Sequence, residues 1–257
     1  MSVNLTLMIL LFVLMCVIGR DRGFIAFFSL LFNVTLLLFM MFFIRKGSNI
    51  IFVLLITCIL LTVYNVFIVN EWHKKTIPAF ISILLTILLV AGLSFIIVNV
   101  SHIQGFTSEE LDDLMVFNIY LQIDYRLLSV CVIIITLLGA LIDAAISISS
   151  AIYEVYLLDP SISGSCLMTI GLRMAGDILS TNINTLYFAF LGSGLSFLSW
   201  LYIYNYSFGD LINHRLFVGN LVTLLISGIG CILVIPICTG ISSWYFSNFL
   251  EHNQEHS

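Results

Sequence analysis

Ionisable side chains are the first thing this sequence lacks: 9% of its 257 residues are Asp, Glu, Lys or Arg, where a soluble domain carries about 25%. With 61% of the residues hydrophobic, a water-soluble fold of this length could not keep its apolar surface from solvent, whereas lipid accepts it without penalty. A soluble enzyme or soluble binding domain is thereby excluded. A basic nucleic-acid surface is missing too. All nine Lys and Arg (Arg20, Arg22, Arg45, Lys46, Lys74, Lys75, Arg126, Arg173 and Arg215) fall at or between long apolar runs, so no nucleic-acid partner is expected.

The six cysteines are scattered, with no CxxC pair and no Cys/His cluster at metal-ligand spacing; they read as small lipid-compatible hydrophobes. The five histidines lie outside the predicted mid-membrane segments, and neither HExxH nor a Walker phosphate loop is present. No cofactor, metal or catalytic residue is therefore expected, and the chain is read as not an enzyme. No Lys or Arg precedes the first apolar run, and no small-residue cleavage pattern follows it before Arg20. That run reads as a retained helix rather than a secretory signal.

What the sequence has in abundance is apolar runs, and about 20 such residues cross a bilayer core as a helix. Seven spans are predicted, at about 3–19, 24–44, 49–70, 76–100, 127–153, 178–204 and 216–237, in a single helical membrane domain covering 1–257. The fold class is all-α, a polytopic integral membrane protein whose first partner is the lipid bilayer. Trp72 suits the interface after the third span, and Pro78 falls in the first turn of the fourth, where a missing N–H costs least. Between the fourth and fifth spans, Ser108 before Glu109, Glu110 and Asp112 predicts the cap of a short surface helix. Leu158-Asp159-Pro160-Ser161 breaks the chain, and a Gly/Ser-rich segment follows to Arg173.

From Leu216 to Leu250 run 35 uncharged residues, about 52 Å of helix and too long for one straight crossing. Pro236 and Gly240 are expected to end or kink that span, leaving Trp244–Leu250 on the surface. With the N-terminus outside, the cytoplasmic loops carry five Lys or Arg against four in the opposite arrangement, a slight bias by the positive-inside rule.

Polar residues inside such spans are functional candidates, because a charge at mid-bilayer is costly. Asp143 lies deep in the fifth span. With Ser147, Ser150 and Glu154 it follows the spacing i, i+4, i+7, i+11, one narrow helical arc. Arg173, Asp177, Ser180 and Asn184 repeat that spacing, broadened by Thr181, Asn182 and Thr185; Asp177 can pair with Arg173 one turn away. Asn220, Thr223, Ser227 and Gly230 form a milder stripe in the last span. Three stripes on the last three spans suggest helices facing one another around a wet or hydrogen-bonded interior. Packing is the plainer reading of the Ser, Thr and Gly members. In the first half, Asn33, Thr35, Thr62, Tyr64 and Asn65 are placed to bond across helices.

The segment Gly139-Ala140-Leu141-Ile142-Asp143-Ala144-Ala145-Ile146-Ser147-Ile148-Ser149-Ser150, with Glu154, resembles the signature GAxxDxAxSIxSxxxE of the YibE/F-like family of bacterial membrane proteins. A second match runs through Gly171-Leu172-Arg173, Gly176-Asp177, Thr181-Asn182-Ile183-Asn184-Thr185-Leu186 and Gly192-Ser193. It departs at Leu172, which splits the usual Gly-Arg pair, and at Phe190, where the family usually has Tyr. The resemblance implies a bacterial cell-membrane location, with the N-terminus outside and the C-terminus cytoplasmic. It also implies a larger YibE/F-like paralogue carrying an external domain as partner, in a homo- or hetero-oligomer.

The function expected is a permease or transporter subunit whose polar path is lined by Asp143, Ser147, Ser150, Glu154, Arg173, Asp177, Thr181, Asn182, Asn184 and Asn220. A non-transporting scaffold or receptor subunit is the second reading. An intramembrane enzyme is the remote third: Asp143 and Asp177 sit on adjacent spans, but Met174-Ala175-Gly176-Asp177 lacks a GxGD pattern.

Overall fold

The computed structural model describes the backbone of residues 3–70, 72–101, 124–204 and 207–249, with side chains throughout except at 125, 193–204, 208, 211 and 249. The surface helix expected at Ser108 lies outside the described residues. All regular structure within them is helical: α1 (Val3–Arg45), α2 (Ile50–Val63) continued by a π-helical turn (Tyr64–Val69), α3 (Thr76–Ser101), α4 (Tyr125–Leu158), α5 (Gly164–Tyr204), the short α6 (Phe208–Asn213) and α7 (Arg215–Phe249). The chain divides into two compact units, Met1–His73 and Lys74–Ser257.

Among the described residues five helices are long and apolar enough to cross a membrane, those of α1, α2 with its π turn, α3, α4 and α7. Seven spans were expected. Part of the difference is that the first two expected spans both lie in α1, which is non-helical at Arg20 (φ 48°, ψ −129°). The Phe12 and Phe27 rings stand 4.8 Å apart, where a straight helix would separate them by about 22 Å. The chain therefore doubles back at Arg20. Gly23 permits this, because a Cβ there would overlap the Met15 carbonyl oxygen. The sixth expected span, 178–204, runs into residues 193–204, whose side chains are outside the described set.

Turn chemistry sets the corner into α2. Gly47 takes a left-handed φ of 83°, as glycine does past a helix end, and Asn49 caps α2 by accepting from the Ile51 N–H at 3.0 Å. Asn33 of α1 and Asn65 of the π turn then exchange reciprocal amide hydrogen bonds of 3.2 and 3.1 Å. Phe32 stacks on Tyr64 beside them, centroids 3.9 Å apart. Thr35 and Thr62 instead bond to carbonyls of their own helices. Trp72 is exposed and stacks on Phe67.

In the second unit α4 and α7 pack centrally, with α3 and α5 against both. Small residues make this possible, as membrane helices require. On α3 the buried hydroxyls of Ser82, Thr86 and Ser94 fold back onto carbonyls of their own helix at 2.6–2.8 Å, so they pack like apolar groups. Ser149 of α4 donates to the Lys75 carbonyl at 2.6 Å and ties the start of α3 to α4. Gly230 of α7 meets Leu137 of α4, Gly171 of α5 meets Thr239 and Ile152, and Gly164 meets Ser247.

Two sequence expectations change here. The Gly/Ser-rich stretch after Ser163 is helical, because Gly164, Gly171 and Ala175 lie along the contact face of α5 and the first two abut α7. The last span does not end at Pro236: α7 runs on to Phe249. Phe246 is fully buried, with Tyr153 and Tyr156 at ring distances of 5.2 and 6.0 Å, so the final turns pack on α4.

Between α4 and α5, the exposed Asp159 carboxylate accepts from the Ser161 N–H and hydroxyl at 3.0 and 2.6 Å. Those bonds hold its carboxyl below the usual carboxylate range. Ser207 and Asp210 cap α6 reciprocally.

Gly171→Val should drive side-chain atoms into Thr239 and Ile152 and destabilise the second unit by about 1–3 kcal/mol. Gly92→Ala, where nothing lies within 4 Å, should leave stability unchanged or slightly raised. Thermal unfolding in detergent compares them; equal midpoints would remove the close-approach role assigned to Gly171.

Candidate functional site

A cleft of about 310 Å³ opens between α4, α5 and α7. Its polar lining is Thr136 from α4 and Asn220, Thr223 and Ser227 from α7; Val132, Leu186, Ala189, Phe190 and Leu224 make it otherwise apolar. These α7 residues recur at three- and four-residue steps, which lay them along one helix face. The sequence stripe Asn220, Thr223 and Ser227 thus lines one wall. A second, smaller cavity of about 160 Å³ shares Val132, Asn220 and Thr223 and reaches Ser129 and Val98.

The hydrogen-bonding state of this wall is uneven. Thr223 donates to the Gly219 carbonyl at 2.9 Å and is satisfied. Among the described residues Ser227 Oγ is buried with no partner. Asn182, one turn from Leu186 on the same face of α5, buries its Nδ2 without a partner among them as well. Phe190 meets Phe217 and Gly171 meets Thr239, so α5 and α7 run antiparallel and Asn182 falls at the level of Ser227. An unmade hydrogen bond costs about 1–3 kcal/mol in a buried setting, so these groups have hydrogen-bonding capacity that a water or another polar group can take up.

The other sequence candidates divide by face. On α4, Thr136, Asp143, Ser147 and Glu154 share one line (i, i+7, i+11, i+18), and all four are exposed; Ser150 beside them is half-buried. Asp143 stands two turns, about 10.5 Å, along that line from Thr136 in the cleft. Neither a hydrogen bond nor an ion pair reaches its carboxylate among the described residues. The opposite face of the same motif packs: Ala144, Ala145, Ile148 and Ser149 are buried, and the Cys238 thiol approaches the Ala145 carbonyl at 3.3 Å.

On α5, Arg173, Asp177, Ser180, Thr181 and Asn184 are exposed, while Gly171 and Ala175 are buried and Asn182 is half-buried. No ion pair links Arg173 to Asp177 among the described residues. Thr181 and Thr185 bond to carbonyls one turn back. The three stripes therefore do not converge on one interior: that of α7 and the Thr136 end of the α4 line meet in the cleft, whereas the α5 stripe points away from it. Thr136 escaped the sequence reading, although extending the Asp143 spacing back by seven residues reaches it. All six cysteines are free, and no group of three or more His, Cys, Asp or Glu could hold a metal ion among the described residues.

Long apolar helices, joined by small-residue contacts and notched by a polar cleft, define a multi-pass helical membrane protein. The chain belongs to the YibE/F-like protein family, whose model matches residues 7–248. No curated protein and no solved structure matches it.

If Ser227 and Asn182 are unpartnered donors, removing them should not weaken the fold. Ser227→Ala and Asn182→Leu should each keep the unfolding midpoint or raise it by the equivalent of about 1 kcal/mol. A loss of stability in both would mean that these groups are bonded in the native protein, and the cleft would lose its free donors.

Proposed function

We propose that this chain is a permease-type subunit of a bacterial cell membrane, with seven spans, and that its polar path runs from the α4–α5–α7 cleft along the α4 line through Asp143. The observation carrying this reading is a pair of buried donors, unpartnered among the described residues, beside a 310 Å³ cleft that lies two helical turns from a carboxylate with no ion pair among those residues. A carboxylate on an apolar helix is a costly feature unless it meets water, an ion or a partner. Free donors and a carboxylate together can handle a small polar solute or a cation by exchanging its hydration shell for protein groups. Without a nucleotide motif in the sequence, the driving energy comes from an ion gradient or a separate partner. A larger YibE/F-like paralogue with an external domain fits as that partner, and the chain acts as a carrier rather than an enzyme.

A second reading, an assembling scaffold subunit, is favoured by one observation: the polar face of α5 is turned away from its own bundle. The two readings separate on Asp143. Asp143→Asn keeps size and hydrogen bonding but removes the charge, and it should abolish activity in a transport or growth assay while membrane levels stay normal. Asp143→Leu should do the same, although insertion scales favour Leu by about 3 kcal/mol. Full activity in both variants, at normal levels, would dismiss Asp143 and leave the scaffold reading.

The proposed orientation places the N-terminus outside and the tail in the cytoplasm. Single cysteines introduced at Glu109 and at Ser257, in a cysteine-free background, test it with an impermeant thiol reagent on intact cells. Glu109 should be labelled from outside in intact cells and the tail only once the membrane is opened, since an odd number of spans, three, separates them. Labelling of the tail, but not of Glu109, in intact cells overturns this topology.

A further inference from the structure

We infer that α5 presents its outward face to a second copy of this chain. Arg173, Asp177, Ser180 and Asn184 follow i, i+4, i+7 and i+11 and are all exposed, while on the opposite side Ala175 is buried and Gly171 packs against Ile152 of α4 and Thr239 of α7. The helix is amphipathic with the sense inverted: its small and apolar face packs inward and its charged, amide-bearing face points out. In the seven-span reading that span begins near residue 178, so Arg173 and Asp177 stand at its edge while Ser180 and Asn184 lie within it, where lipid is a poor neighbour for an amide. Arg173 and Asp177 sit one turn apart and make no ion pair among the described residues, so both charges are open to an outside partner.

The pattern is complementary to itself. A two-fold axis along the membrane normal sets two α5 helices parallel, face to face and at equal depth. Arg173 of each copy then reaches Asp177 of the other, giving two reciprocal ion pairs from one surface. Ser180 has the small side chain that close approach of membrane helices needs. Asn184 meets Asn184 of the second copy, where two amides can exchange hydrogen bonds as Asn33 and Asn65 do within this chain at 3.2 and 3.1 Å. An unrelated surface would have to match the charge order and the amide position separately, whereas a second copy supplies both. This inference rests on the seven-span reading, in which α5 crosses the membrane, and not on whether the chain transports anything.

Disulfide trapping in native membranes tests it, using a cysteine-free version of the full chain. Ser180→Cys should oxidise to an adduct of twice the 28.9 kDa chain mass, because Cα atoms across the seam come within disulfide reach. Leu172→Cys, also exposed on α5 but about 80° round the helix from Ser180, should give far less. Adding Arg173→Asp to Ser180→Cys should lose the adduct, and adding Asp177→Arg as well should restore it by exchanging the charges. Equal trapping at Ser180 and Leu172 would mean random collision and overturn the inference. So would an adduct of another mass, which would identify a different occupant, or no adduct from Ser180→Cys at normal membrane levels.

Discussion

The second unit depends on how closely α5 can approach α7, and that distance is set by side chains that are not there. Lipid gives apolar helices little reason to prefer each other, so their association rests on packing contacts and a few hydrogen bonds. Gly164 and Gly171 leave room for Ser247 and Thr239, while Gly230 leaves room for Leu137 between α7 and α4. Near Gly171 the helices close tightly. Toward Phe190 and Asn220 the bulkier Leu186, Phe190 and Leu224 line the space, and there the 310 Å³ cleft opens. The cleft and the seam are thus two ends of one contact.

The same logic explains why polar groups in this protein come in two kinds. Ser82, Thr86, Ser94 and Thr223 return their protons to carbonyls of their own helices and behave as compact apolar knobs. Ser227 and Asn182 do not. Composition cannot separate these groups, since both kinds are Ser, Thr or Asn on apolar helices, but the hydrogen-bond inventory does.

Much of the architecture was legible in the sequence because apolar length and breaks in it are one-dimensional signals. The all-helical class, the cross-helix use of Asn33 and Asn65 and the family itself could all be read from residues in order. The less legible features depended on contacts between distant segments. A glycine-rich stretch after Ser163 looks like a breaker until Thr239 and Ser247 are seen opposite it, and Pro236 looks like a terminus until Phe246 is found packed on Tyr153 and Tyr156. For the site, spacing correctly grouped Asp143 with Ser147 and Glu154 on one line and Arg173 with Asp177 and Asn184 on another. Spacing carries no information on where such a line points. The inward Asn182 and the outward Asn184 differ by two positions, about 200° of helix, and only packing distinguishes them.

The reciprocal amide pair in the first unit has a mechanical meaning. Asn65 accepts from Ser29 and Asn33 and donates to Asn33 and to the Leu61 carbonyl, and its own carbonyl is taken by Asn70 across the π turn. Rotating this stretch by a single residue position would swing the amide through about 100° and strip several of these bonds at once. In hydrocarbon no water replaces them. The helix pair therefore has a detent: both a one-residue slide, about 1.5 Å, and rotation about the long axis break the amide pair, which fixes the faces that α1 and α2 turn to each other.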